Sequence, residues 1–220
     1  MDKNRQGIQF MQEQRYEDAA KMFNDVIEEE PENPVGYINF GNLLLRIEQY
    51  EKAERFFNKA ISLDDNAVSA YYGLGNVYFE LENFDRARTY FMKAMEKGMN
   101  DGDVYYMIGL SLQKQGQSRF ALPYLQRAAE LNEQDVDYLF QYGLSLAQCN
   151  QLEEAAVYFN KVLSIQPDHA DAHYNYGLIE FFWEHHAEAL AHFEKAIEIQ
   201  PDHLLALKGK QTAEETMKNK

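Results

Sequence analysis

Glycine recurs at Gly7, Gly41, Gly75, Gly109, Gly143 and Gly177, each 34 residues after the last. Alanine keeps the same interval at Ala19, Ala53, Ala87, Ala121, Ala155 and Ala189. A large apolar residue follows four positions later at Phe23, Phe57, Phe91, Leu125, Phe159 and Phe193, and a small one at Val26, Ala60, Ala94, Ala128, Val162 and Ala196. Six copies without an insertion mean that one supersecondary unit is repeated, and each copy buries its apolar face on its neighbours.

Inside each copy the apolar spacing is helical, in two runs. In the third, Tyr71, Leu74, Gly75 and Tyr78 make one face, and after the polar break "ELEN" Phe84, Ala87, Phe91 and Ala94 make another. Pro31, Pro167 and Pro201 close copies 1, 5 and 6, where a helix must stop. Glycine on the first helix and alanine on the second remove bulk where two antiparallel helices cross, and the aromatics fill the space beside the crossing. Pro123 predicts a late start or a small kink in the fourth second helix, and Ser118 is placed to cap it.

This period and residue order resemble the tetratricopeptide repeat family, with "YYGLGNVYFELENFDRARTYFMKA" following its pattern nearly throughout. The resemblance covers residues 1 to 203, with repeats at about 1–33, 34–67, 68–101, 102–135, 136–169 and 170–203 and a capping helix over 204–218. It implies an all-α, right-handed solenoid in which first helices line a concave groove and second helices lie outside. Lys3 and Gln6 replace apolar residues in the first copy, as an exposed end requires. In the capping helix Leu204, Leu205 and Leu207 are expected to face inward, while Lys210, Gln211 and Glu214 replace core residues. The chain is thus expected to be one domain and a complete array.

Composition narrows what such an array can do. With 36 acidic and 21 basic side chains the net charge is −15, which disfavours nucleic acid and anionic lipid and permits a basic protein partner. No apolar run approaches signal-peptide or membrane-spanning length, and the single cysteine, Cys149, cannot form an internal disulfide, so a cytoplasmic setting is expected. Cys149 shares a column with Ile47, Leu81 and Trp183 and reads as a packed thiol. No phosphate loop, nucleophile elbow or paired-cysteine motif occurs, so neither an enzyme nor a cofactor is expected.

Function is therefore expected in the groove that the resemblance implies. One column carries Ile38, Tyr72, Tyr106, Phe140 and Tyr174, flanked by Asn39 and Asn175 and by Asn42 and Asn76. Asparagine pairs with a peptide backbone regardless of sequence, and aromatic rings add rigid contact area. Some members of the family grip the carboxylate terminus of heat-shock chaperones with lysine, arginine and asparagine. Here none of Asn4, Ile38, Tyr72, Tyr106, Phe140 and Tyr174 is basic, so that clamp is not expected. Asp103, Asp137 and Asp171 form a 34-residue ladder instead. They either favour helix N-termini or form an acidic edge for a basic segment. Copies five and six hold 11 acidic residues against Lys161 and Lys195, which adds to that edge.

The sixth copy departs from its template. Glu180 occupies the column of Phe10, Leu44, Tyr78, Leu112 and Leu146, and needs a partner such as His186 or Lys210. Phe182 is apolar where the other copies are polar. With Phe181 it either anchors a ligand or is buried in place of Glu180. His173, His186 and His192 stand in aromatic columns. A metal site of His185, His186, Glu188 and His192 is a weaker reading of the same stretch, since i, i+4 and i, i+7 spacings share a helix face.

The expected function is a non-catalytic adaptor that holds a basic or apolar-anchored segment of a protein partner, whether monomeric or weakly self-associating. The alternative is a self-associating scaffold, or an assembly factor for an enzyme complex, that uses outer or end faces.

Overall fold

The computed structural model describes residues 2–219, and among these it contains thirteen helices and no strand. They are α1 (Lys3–Gln12), α2 (Tyr16–Glu29), α3 (Pro34–Arg46), α4 (Tyr50–Leu63), α5 (Val68–Glu80), α6 (Phe84–Glu96) and α7 (Gly102–Lys114). There follow α8 (Ser118–Leu131), α9 (Val136–Gln148), α10 (Leu152–Ile165), α11 (Ala170–Phe182), α12 (His186–Ile199) and α13 (Leu204–Lys218). The fold is an all-α array of helix pairs. It divides into two compact units, Met1–Gln115 and Gly116–Lys220, so that α1–α7 lie in the first and α8–α13 in the second.

Local chemistry sets the helix starts. Asp2, Asn33, Asp101 and Asp135 each accept a hydrogen bond from a backbone N–H of the first turn. His169 and His203 do the same through Nδ1, at 3.1 Å from the N–H of Ala172 and Ala206. Five second helices lack a side-chain cap, and the turn before most second helices is closed by backbone. Gln49, Asn83, Gln151 and His185 donate to the carbonyls of Leu44, Tyr78, Leu146 and Glu180, five residues back, at 2.8–2.9 Å. This is the Schellman pattern, which needs one left-handed residue.

That residue is Gln14, Glu48, Glu82, Gly116, Asn150 or Glu184, all at positive φ in one column. Only the fourth copy uses glycine. Glu82, at φ 54° and exposed, carries a left-handed conformation that disfavours a Cβ. Glu82→Gly should raise stability by up to about 1 kcal/mol in urea unfolding, after the extra unfolded-state entropy of glycine is offset.

The core follows the repeat. The six periodic alanines are fully buried, and Phe23, Phe57, Phe91, Leu125, Phe159 and Phe193 are buried beside them. A Cβ added to Gly7, Gly41, Gly75 or Gly177 would lie 2.4–2.8 Å from the phenylalanine sixteen residues ahead. In these copies the ring of the second helix thus occupies the space that the glycine leaves open.

Several local expectations are corrected. α8 starts in register with the other second helices despite Pro123, so there is no late start. Ser118 is its first helical residue and not its cap, and its hydroxyl pairs with the Gln148 side chain. The capping helix is seated through Ala206 and Ala213, whereas Leu204, Leu205 and Leu207 are 77%, 58% and 41% exposed. Small residues let α13 lie close to α12, and the leucines remain outside. Lys210 pairs with Glu194 at 2.8 Å, bracing that contact.

Candidate functional site

In the first unit, α1, α3 and α5 share one face, and the asparagines gather on it. Asn39, Asn42 and Arg46 line a hollow of about 490 Å³ with Ile8, Met11 and Gln12. Asn42 and Arg46 also line an adjoining hollow of about 460 Å³, with Asn76, Tyr50 and Glu80. Asn39 donates to the Asn4 side chain at 2.8 Å, so its amide is partly engaged. Arg46 forms no ion pair among the described residues and joins both hollows; it was not singled out from the sequence, although its column otherwise holds Gln12, Glu80, Lys114, Gln148 and Phe182.

Tyr72 packs on Phe91 with ring centroids 5.3 Å apart. Burial, then the charges of Asp103 and Asp101, push the Tyr72 hydroxyl well above its ordinary value, so it stays a donor. Tyr106 is half-buried and Asp103 lies exposed in the first turn of α7.

In the second unit the predicted residues are only partly brought together. Tyr174 and Phe181 line a common pocket of about 270 Å³ whose floor is Phe193. Phe140 packs instead on Phe159 and the His169 ring, at 5.8 and 4.7 Å. Asn175 turns its amide onto the Asp171 carbonyl at 2.7 Å, inside its own helix. The Asp171 carboxylate accepts from His203 Nε2 at 3.2 Å, which ties α11 to the start of α13. Asp137 lies exposed in the first turn of α9.

Sequence reading missed the remaining walls of that pocket, Leu178, Leu205, Lys208 and Thr212, together with Gly209. The signal was present in the columns. Asn42 and Asn76 give way to Leu110, Leu144 and Leu178; Asp137 and Asp171 give way to Leu205; Phe140 and Tyr174 give way to Lys208.

The histidine-rich stretch resolves into separate contacts. Glu180 is paired with His185, Oε2 to Nδ1 at 2.8 Å, and not with His186 or Lys210. The pair spans the turn whose backbone already joins His185 N–H to the Glu180 carbonyl, so these side chains leave the same closed loop. In the first copy the same two columns bring the Arg15 guanidinium to 4.2 Å from the Phe10 ring centroid. Phe182 stays 66% exposed while the Glu180 side chain is 13% exposed, so no shift exchanges them.

His186 lies on the Phe181 ring at 5.0 Å, and its Nδ1 is buried without a hydrogen-bond partner. His173 donates from Nε2 to the Pro167 carbonyl at 3.0 Å, as the Tyr37 hydroxyl does to Pro31 at 3.1 Å. That leaves its Nδ1 to accept from His192 Nδ1, also at 3.0 Å. Burial lowers the pKa of both rings, so each favours the neutral form. The weaker metal reading is therefore corrected. His185 pairs with Glu180 and His192 with His173, and no group of three ligating side chains among the described residues could hold an ion. Cys149 is half-buried. No helix among the described residues is long and apolar enough to cross a membrane.

Family profiles described as tetratricopeptide repeat match residues 10–67, 48–109, 106–168 and 170–203. Among solved structures, YrrB, described as a TPR protein with an unusual peptide-binding site, is 47% identical with a TM-score of 0.80; the match covers 87% of this chain and 99% of that one. MamA from Desulfovibrio magneticus RS-1 is 25% identical with a TM-score of 0.71, over 76% and 94% of the two chains. PilF of Pseudomonas aeruginosa, at 14% identity and TM-score 0.83 over 96% of both chains, shares the fold alone. No curated protein sequence matches the chain.

Proposed function

The chain belongs to the tetratricopeptide repeat family, and on that footing we propose that it is a non-catalytic adaptor holding a segment of a partner protein against its first helices. The observation that carries this reading is the run of side-chain amides along α1, α3 and α5. Asn42 and Asn76 line two adjoining hollows, where they can donate to and accept from a peptide backbone whatever its sequence. The 47% identity to YrrB, a protein described as having a peptide-binding site, supports it.

Side-chain preference comes from the aromatics and the charge. Tyr174 and Phe181 offer apolar contact, while exposed Asp137 and the surplus of acid in copies five and six favour a segment with basic residues. That attraction acts mainly on encounter and weakens with salt.

The test uses the full chain immobilised as bait in a cell extract, with retained proteins identified by mass spectrometry. Asn42→Ala with Asn76→Ala should lose the specific set, because both amides leave the hollows. Asp137→Lys should reduce capture at low salt more than at high salt. Retention of the same proteins by the double alanine variant and by Asp137→Lys with Tyr174→Ala and Phe181→Ala would reject the groove reading.

A further inference from the structure

The pocket floored by Phe193 differs from the two asparagine-lined hollows in both size and chemistry. At about 270 Å³ it is below the range of roughly 300–1,000 Å³ usual for small-molecule and cofactor sites. It suits one large side chain. Its walls are Tyr174, Leu178 and Phe181 from α11 and Leu205 from α13, with the Phe193 ring beneath.

Gly209 creates the opening. A Cβ there would lie 2.9–3.1 Å from the Phe193 ring, so any side chain at this position would crowd the floor. Leu178 and Leu205 are 40% and 58% exposed, which means that the chain itself leaves the walls uncovered. The polar groups among its lining side chains are the Tyr174 hydroxyl, Lys208 and Thr212. The Thr212 hydroxyl is spent on the Lys208 carbonyl at 2.9 Å. Lys210 is held by Glu194 and Glu214, but the Lys208 ammonium forms no ion pair among the described residues. An apolar cup of side-chain size with one unpaired cation at its lip has a definite complement.

We propose that this cup is the anchor site for the partner segment, and that it takes a leucine- or phenylalanine-sized side chain next to a carboxylate. The inference rests on the groove reading above and adds the identity of the anchored residues. The ring or branched chain displaces water from the Phe193 floor, and the neighbouring carboxylate meets Lys208. A carboxylate here would also orient the segment. Its acidic, apolar end lies against α13, and basic residues extend toward α9, where Asp137 is exposed.

The probe is a phage-displayed library of random 12-residue peptides, panned on the immobilised full chain. Enriched sequences should pair leucine, phenylalanine, tryptophan or methionine with an adjacent aspartate or glutamate. Lys208→Glu should weaken such peptides by about tenfold and, in a fresh panning, shift the neighbour to lysine or arginine, as the loss of one charge-assisted hydrogen bond predicts. Thr212→Phe, an exposed substitution that fills the cup, should weaken them at least as much while leaving the melting temperature unchanged.

Peptides that depend on Asn42 and Asn76 but bind Thr212→Phe and Lys208→Glu as well as the parent would overturn the anchor site and spare the groove. A library that yields no retained peptide would overturn both.

Discussion

Replacing Phe57 by alanine is expected to destabilise the first unit by about 3–5 kcal/mol, the range for removing a buried aromatic ring. The position is more consequential than burial alone implies. A Cβ on Gly41, in the same copy, would stand 2.7 Å from this ring, and one on Gly73, in the next copy, 2.4 Å. The ring therefore fills the crossing of α3 with α4 and also the seam of α4 with α5. In a repeat array, stability is close to a sum of unit and neighbour-interface contributions. Phe57→Ala removes part of both at once. Urea unfolding followed by circular dichroism should show a lower midpoint and a broadened transition. Hydrogen exchange should place the lost protection in α3, α4 and α5 and leave α9–α12 unchanged.

The same geometry predicts a compensating pair. Gly73→Ala alone forces the Phe57 ring aside, at the roughly 1–3 kcal/mol typical of overpacking. Phe57→Leu with Gly73→Ala should cost less than the sum of the two single changes, because the smaller side chain admits the new methyl. Additive losses would show that the ring and the glycine do not share one space.

Period and residue type made most of the fold legible. A 34-residue repeat fixes which columns are buried, and glycine facing a large apolar side chain at each crossing requires two helices in close contact. Column reading failed where the column's environment was absent. Leu207 shares its column with Tyr71 and Leu139, which are 6% and 1% exposed, yet it is 41% exposed itself. Those two residues are covered by helices on either side, whereas α13 packs chiefly on α11 and α12. Leu205 was misread against a signal already present, since its column holds exposed aspartates in three copies. Glu180 shows the opposite limit. Its partner was sought by helical spacing, but a closed turn joins residues five apart, and that brought His185 within reach instead of His186. The asparagines were legible as a group because backbone recognition asks only for amides. The cup around Gly209 was not, because it depends on α13 lying close to Phe193.

Acid should loosen the sixth repeat, and the cause is the contact between His173 and His192. Their Nδ1 atoms share one proton, since the Pro167 carbonyl holds the other proton of His173 at Nε2. Charging both rings would set N–H against N–H and leave a half-buried hydrogen bond unmade, a loss of roughly 1–3 kcal/mol. Burial disfavours charge on both rings. Lys195 and His169 add to this at His173, and at His192 the repulsion of His173 outranks the attraction of Glu180. Both folded pKa values thus lie below the ordinary 6.5, and the unfolded chain binds more protons in the window between. By linkage, the stability this pair contributes is complete above pH 6.5 and is lost as pH falls through the lowered values. Melting temperatures at pH 7.5 and pH 5.5 should therefore differ, with exchange rising first in α11 and α12. His192→Tyr supplies the ring found at Tyr90, Tyr124 and Tyr158 and removes the titrating partner, so it should narrow that difference. An equal fall in the variant would assign acid sensitivity to carboxylates elsewhere and leave the histidine pair a packing substitution alone.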